Sequence, residues 1–322
     1  MGPQRTSRRA FLAGSAGVLA SCCLKGETVA ATTAPATAPV EPIIDIHQHT
    51  HYSGRTDAQL IAHQARMGAT RTILLPAGSV VRRPSTHEGK SNGLAAGCGG
   101  NETVVAMARQ YPEKFAFFAN EVPDLPGAVG EITKYLKLGA IGIGEQKFNV
   151  ECDSKGIEAL AELAGEFQVP MLLHFQYQMY NKGFERFHKV LEKFPKVNFI
   201  GHAQTFWANI DKDHADQKVL YPMTKVTPGG LTDRYLSDYP NLYADLSAGS
   251  GLNSLLRDEE QARSFLERHQ DKILYGSDCS DIVGRGPVCS GWLAINGVRR
   301  LAPSKAIQGK ILYENAKRLF KL

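Results

Sequence analysis

Ile43-Ile44-Asp45-Ile46-His47-Gln48-His49 is the stretch on which the reading of this 322-residue chain turns. Its first half is apolar and β-branched, as a strand buried on both faces should be. Its second half carries two imidazoles two residues apart. Side chains alternate along a strand, so His47 and His49 share a face, read here as the inward one. Working outward, the same rhythm recurs. Short β-rich runs are predicted at 43–47, 72–75, 115–119, 141–145, 171–174, 198–202, 242–245 and 273–276. Apolar residues at helical spacing fall between them, at 58–67, 102–110, 129–138, 155–167, 184–194, 231–239, 253–269 and 305–320. Eight strands alternating with eight helices predict an α/β chain folded as a single-domain (β/α)8 TIM barrel. The competing architecture is an open doubly wound sheet, but no G-x-G-x-x-G follows the first strand.

The barrel expectation gives the strand ends a meaning, because ionisable residues there converge on one mouth. The fourth run ends in Glu145, the fifth in His174 and the sixth in His202, and the eighth runs into Ser277-Asp278. A lone strand-end histidine is an ordinary structural residue, and HxH occurs by chance. Imidazoles and carboxylates recurring strand after strand at one end instead suit a bound Zn²⁺, Mn²⁺ or Fe²⁺ rather than Ca²⁺. The long segments 76–100, 203–230 and 277–302 should emerge at the same mouth and select the substrate.

Composition excludes several classes. With 43% apolar and 21% charged residues and only 6 Cys, the chain is neither disordered nor a disulfide scaffold. The formal charge is +5, and setting aside Arg5, Arg8 and Arg9 of the N-terminal segment leaves +2, a weak field for nucleic acid. Those arginines belong to an address. Thr6-Ser7-Arg8-Arg9-Ala10-Phe11-Leu12 resembles a twin-arginine export signal, and the apolar stretch 11–20 is too short to span a bilayer. Leu19-Ala20-Ser21-Cys22 resembles a lipobox, with Thr28-Val29-Ala30 a competing cleavage site. The expected organisation is a signal at 1–30, ending at Cys22 if lipidated, an Ala/Thr/Pro-rich tether at 31–42 and the barrel at 43–322. The destination is the periplasm or, through lipidated Cys22, a membrane surface.

From 43 to 322 the chain resembles the amidohydrolase superfamily, in the amidohydrolase-related branch that includes aminocarboxymuconate-semialdehyde decarboxylase-like enzymes. The resemblance is carried by IIDIHQH, LLHFQ, FIGHAQ, YPNLYADLSA, LYGSD and the closing ILYENAKRLF. It implies that His47, His49, His174 and Asp278 ligate a metal, most simply zinc with manganese or iron as alternatives, and that His202 is the catalytic histidine. Gly142-Ile143-Gly144-Glu145 also resembles the fourth-strand motif of TatD-type metal hydrolases, in which Glu145 would bridge two ions and His202 would ligate the second. A hydrogen-bonding or substrate-contacting Glu145 beside a single ion is the alternative.

Two chemistries fit this set. In hydrolysis of a small ester, lactone or amide, a metal lowers the pKa of water from about 15.7 toward 7. Asp278 would then act as general base and acid, with His202 stabilising the oxyanion. In decarboxylation of a small unsaturated or aromatic acid, His202 or Asp278 would protonate the carbanion. A non-enzymatic metal or ligand binder is the third and least favoured reading, since a binder needs no base like Asp278. A small anionic substrate would draw on Lys147, two residues beyond Glu145 and so on its face, and on Arg82 and Arg83. Trp207 and Tyr177, following His202 and His174, either wall the pocket or pack in the core or rim. Asp45 reads as support for the strand end. His51, His63, His87, His188, His214 and His269 read as surface groups, and Cys98, Cys152, Cys279 and Cys289 as buried or free thiols with no CxxC pair.

Overall fold

The computed structural model describes residues 41–86 and 97–322. The expected signal at 1–30, Cys22, most of the tether at 31–42 and His87 lie outside the described residues. No helix among the described residues is long and apolar enough to cross a membrane.

Eight parallel strands are present: β1 Ile44–Gln48, β2 Arg71–Leu74, β3 Phe115–Phe117, β4 Ile143–Gln146, β5 Met171–His174, β6 Phe199–His202, β7 Leu242–Asp245 and β8 Ile273–Leu274. They pair in sequence order as β1-β2-β3 and β4 to β8. Backbone hydrogen bonds bridge both gaps. At the β3–β4 junction Gly144 N donates to Ala119 O at 2.9 Å, and at the β8–β1 seam Ile46 N donates to Tyr275 O at 3.1 Å. The ring therefore closes as a barrel, as the rhythm of the sequence predicts.

Strand residues of alternating parity enter two apolar clusters. Ile44, Ile46, Ile73, Phe118, Leu172, Ile200 and Leu274 pack on one another inside the barrel. Leu74, Phe117, Ile143, Leu173, Phe199 and Ile273 instead face the helices. Ala316, Leu319 and Phe320 of the last helix join the interior cluster, with the rings of Phe118 and Phe320 5.7 Å apart. The chain end thus plugs the barrel beneath the histidine layer.

The helices follow from caps and stripes. In α1 (Asp57–Met67), Thr56 and Gln59 form a reciprocal capping box, satisfying two otherwise unpaired amides. Next come α2 (Asn101–Gln110), α3 (Ala128–Lys137), α4 (Lys155–Phe167), α5 (His188–Lys193), α6 (Gln204–Ala208) and α7 (Leu231–Asp238). The pattern at 253–269 is two helices, α8 (Ala248–Leu256) and α9 (Glu259–Arg268), split where the Asp258 side chain caps the second. The segment 277–302, expected as loop, carries the twelve-residue α10 (Ser290–Leu301), capped by Cys289. The final pattern is α11 (Lys305–Gly309), a π turn over Lys310–Glu314 and α12 (Asn315–Phe320).

Candidate metal centre

The polar strand ends meet. His47 and His49 come from β1, His174 ends β5, His202 ends β6, and Asp278 follows β8. All four histidines are at most 3% exposed, and Glu145 is fully buried. Each histidine has its Nδ1 anchored. His47 Nδ1–H donates to Asp245 Oδ2 at 2.7 Å, and His49 Nδ1–H donates to the Leu75 carbonyl at 2.8 Å. His174 Nδ1–H donates to Glu145 Oε1 at 2.6 Å. His202 Nδ1–H donates to Ser247 Oγ at 2.9 Å, whose own hydroxyl donates to Asp245 Oδ2 at 2.7 Å. A carbonyl or carboxylate can only accept, so these bonds fix the tautomer and leave every Nε2 as a lone pair.

Those four Nε2 atoms, with Glu145 Oε2 and Asp278 Oδ1, are buried and have no hydrogen-bond partner. Six unsatisfied acceptors facing one another would be a heavy penalty in a structural core. Their spacing gives them a purpose. Glu145 Oε2 is 3.6 Å from His47 Nε2 and 3.7 Å from His49 Nε2. Asp278 Oδ1 is 3.6 Å from His49 Nε2 and 3.9 Å from His47 Nε2. Glu145 Oε1 is 3.6 Å from His202 Nε2, and Asp278 Oδ2 is 3.8 Å from it. Atoms about 2.0–2.2 Å from one shared ion stand about this far apart. The residues fit a divalent cation, and the orphaned lone pairs are the observation that says so.

Protonation agrees. Burial drives His174 down, with the Lys147 ammonium adding to it, to about 3, and burial lowers His202 as well. Both stay neutral donors. Burial alone would raise Glu145 and Asp278, but their neighbours outweigh it: the Lys147 ammonium, His47 and the His174 hydrogen bond for Glu145, and His47 with the adjacent His49 ring for Asp278. Both carboxyls end below their usual range. For His47, burial is outweighed in the opposite sense by Asp278, Asp245 and Glu145, which raise its proton affinity. The negative field that would protonate His47 is the field that attracts a metal ion.

The strands that carry these groups are not all regular. His174 and His202 continue the parity of Leu172 and Ile200, and β5 and β6 pair without interruption through His174 opposite His202. In β1 the register shifts between Asp45 and Gln48, so His47 and His49 enter the site although Ile44 and Ile46 already point inward. β4 shifts between Ile143 and Gln146, turning Glu145 inward although Ile143 faces the helices. Gly144 sits at this kink with φ +134°, and a Cβ there would lie 2.6 Å from the Leu172 carbonyl, so only glycine fits. Gly276 leaves comparable room, since its Cβ would stand 2.4 Å from Asp245 Oδ1.

Lys147 is buried beside this cluster, its Nζ 5.8 Å from the Tyr180 ring centroid and the His174 ring 5.4 Å from the same ring. The other expected substrate contacts lie outside the cluster. Arg83 is drawn away by an ion pair to Asp124 at 3.6 Å, and Arg82 is exposed and shares no hydrogen bond or ion pair with the cluster among the described residues. Trp207 is core, its indole N–H donating to the Asp245 carbonyl at 2.8 Å and its rings edging Phe206 and Phe265. Tyr177 lines a separate cavity of about 510 Å³ with Gln176 and Arg186. His63 and His269 are buried rather than superficial, His269 bonded to Asp233 Oδ1 at 2.6 Å. Asp45 braces β1 against β8, accepting from Ser277 N at 2.8 Å and Ser277 Oγ at 2.5 Å.

Three site groups escaped the sequence reading. Asp245 and Ser247 orient His47 and His202 from the end of β7; the only signal was another strand-end carboxylate. Tyr52 stacks edge-on to His49 at 5.1 Å beside Asp278, whose charge together with burial pushes the phenol up.

A family model described as amidohydrolase matches residues 44–322. The chain belongs to the amidohydrolase family. No curated protein matches it. Solved structures do. 2,6-Dihydroxybenzoate decarboxylase from Rhizobium is 16% identical over 87% of this chain and 99% of its own, with TM-score 0.57. A dihydroxybenzoic acid decarboxylase from Polaromonas, with bound manganese and the inhibitor 2-nitroresorcinol, is 15% identical over 88% and 97%, with TM-score 0.56. A probable 2-pyrone-4,6-dicarboxylic acid hydrolase from Acinetobacter baumannii, with citric acid bound, is 13% identical over 87% and 99%, with TM-score 0.55. At these identities the likeness establishes the (β/α)8 fold of the amidohydrolase family.

Proposed function

We propose that this amidohydrolase-family chain is a metal-dependent carboxy-lyase for a small aromatic or unsaturated carboxylic acid. The observation that carries the reading is the buried Lys147 ammonium set beside the ligand cluster, on the face of Glu145. Glu145 already answers part of this charge, and a substrate carboxylate reaching the cluster would be a second anion for the ammonium to hold. The decarboxylation of dihydroxybenzoates by two structural neighbours, one with bound manganese, supports this order of preference over the hydrolytic one.

In this reading His47, His49, His174 and Asp278 hold one divalent ion, with manganese as apt as zinc for a mixed imidazole and carboxylate set. When bound, the ion supplies a Lewis acid that neutralises and orients an acidic substrate oxygen. Glu145 holds His174 through Oε1 and turns Oε2 toward His47 and His49, where it would serve as a further ligand of a bound ion. Lys147 pairs with the carboxylate that leaves. As the C–C bond breaks, CO₂ leaves and its electron pair stays on the substrate carbon; that carbon takes the proton that His202 Nε2 or the Asp278 carboxylate, both unprotonated at rest, has first accepted from an acidic hydroxyl of the substrate. Ser247 and Asp245 hold His202 so that its Nε2 faces the site.

The test is CO₂ release from a panel of hydroxybenzoates by manganese-loaded protein, alongside hydrolysis of lactones and amides. Lys147→Met should raise KM for the carboxylate at least about tenfold with kcat less affected. Release of no CO₂ alongside hydrolysis would overturn the lyase reading. Hydrolysis is the second reading because Asp278, ionised and with Oδ1 unpartnered, suits a general base. Electron paramagnetic resonance of the manganese protein separates an isolated ion from a pair coupled through Glu145. We also infer export by the twin-arginine route with lipidation at Cys22, which fatty-acid labelling would detect.

A further inference from the structure

Away from the histidine layer, on the outer side of the β8–β1 seam, a second group of donors converges. His63 of α1, Cys279 and Asp281 of the loop after β8, and Cys289 at the start of α10 bring one ligand atom each to within 4.8 Å of one another. Cys279 Sγ and Cys289 Sγ are 3.7 Å apart, Cys289 Sγ is 3.5 Å from His63 Nε2, and His63 Nε2 is 3.9 Å from Asp281 Oδ2. Zn–S bonds of about 2.3 Å and Zn–N bonds of about 2.0–2.1 Å in a tetrahedron place two sulfurs about 3.8 Å apart and sulfur about 3.6 Å from nitrogen. The sulfur–sulfur and sulfur–nitrogen distances match those edges. A disulfide, at about 2.05 Å, would explain the cysteine pair and nothing of His63 or Asp281.

We propose that His63, Cys279, Cys289 and Asp281 form a second, structural metal site with the tetrahedral donor set of zinc. Three features around it serve that role. His63 and Cys289 are fully buried, and Cys279 is nearly so, as a closed structural site requires. The Cys289 sulfur accepts the Trp292 amide at 3.4 Å at the N-terminus of the twelve-residue α10, where the helix dipole favours a thiolate. Arg55 is buried and forms no ion pair among the described residues, yet it donates to the carbonyls of Cys279 at 2.8 Å and Asp281 at 3.1 Å. Two thiolates and a carboxylate around a divalent ion leave one negative charge, which that guanidinium would balance. Asp281 itself is fixed by the amides of Val283 and Gly284 at its Oδ2. The ion would clip α1 to the loop whose first residues include Asp278, so its role is positioning.

Cobalt distinguishes this site from the histidine cluster, because only a thiolate gives the intense near-ultraviolet sulfur-to-cobalt absorption. Full-length protein produced in cobalt-supplemented minimal medium should show that band together with tetrahedral visible bands. Cys289→Ser should lose about half or more of the band, and the Cys279→Ser/Cys289→Ser pair all of it with one fewer metal per chain. His174→Ala should leave the band in place. If the cysteine variants do not fold, His63→Gln must still shift the visible bands. Cobalt bound without the sulfur band in the unaltered protein would overturn the proposal. So would a Cys279–Cys289 disulfide found by mass spectrometry in protein isolated without reductant.

Discussion

β5 and β6 deliver their histidines by plain alternation, whereas β1 delivers its histidines and β4 its glutamate only after the pairing register slips. The regular pair needs nothing but the ladder, with His174 opposite His202. The irregular pair is held by side chains. Gln48 Nε2 donates to Ser277 Oγ at 2.6 Å and to Cys279 O at 3.0 Å, and Arg55 Nη2 donates to Gln48 Oε1 and, at 3.3 Å, to the His49 carbonyl. Under β4, Asn120 Nδ2 reaches the Glu145 carbonyl at 2.9 Å, and Asn181 Nδ2 reaches the Gln146 carbonyl at 2.5 Å. Where the backbone ladder stops satisfying its own groups, buried amides and a guanidinium take over. Half of the centre is thus built by periodicity and half by a polar scaffold.

The largest expected effect lies where both halves meet. Asp278→Asn should cost about 10²–10⁴-fold in turnover at nearly unchanged Tm, read by steady-state kinetics and thermal unfolding; a near-normal rate would remove Asp278 from the chemistry. The scaffold comes next. Arg55→Met or Asn120→Ala should weaken metal binding about 10–100-fold, as loss of groups that orient ligands does. Leu172→Ala, beneath the regular pair, should cost about 2–5 kcal/mol of stability while the folded protein binds metal within a few-fold of normal. Equal metal loss in the two cases would erase the distinction drawn here.

The smallest effect on the centre should come from Asp233, remote from it. This carboxylate accepts from His269 Nε2 at 2.6 Å, Arg268 Nη2 at 2.9 Å and Gly229 N at 3.0 Å. Burial opposes ionisation, but these partners outweigh it and hold the group below its ordinary range. A depressed carboxyl stabilises the fold above its unfolded pKa of about 3.9, and that stabilisation disappears as pH falls through the folded value. Asp233→Asn should therefore lower stability by about 1–3 kcal/mol at pH 7, with the gap to the unaltered protein closing below about pH 4. Turnover at neutral pH should not change.

The regular elements were legible in the sequence because one period governs each. All eight strands fall within the predicted runs to a residue or two, and the strand-end imidazoles and carboxylates are where the chain must bring them together. What escaped was whatever depends on neighbours across the barrel. Asp245, Ser247 and Tyr52 act through residues far away in sequence, and no spacing announces that. Trp207 and Arg83 show the converse, since neither following His202 in sequence nor lying in a mouth segment says which wall a side chain joins. His63 had a usable signal: it falls with Leu60 and Met67 on the buried stripe of α1.

The seam between β8 and β1 has a temporal meaning. His47 and Asp278 come from opposite ends of the barrel sequence, and the plug beneath them is built from Leu319 and Phe320. A nascent chain therefore carries most of its ligands long before it can assemble them, because the contacts that close the ring are the most distant in the sequence. Metal occupancy of the histidine centre would therefore report that the ring has closed.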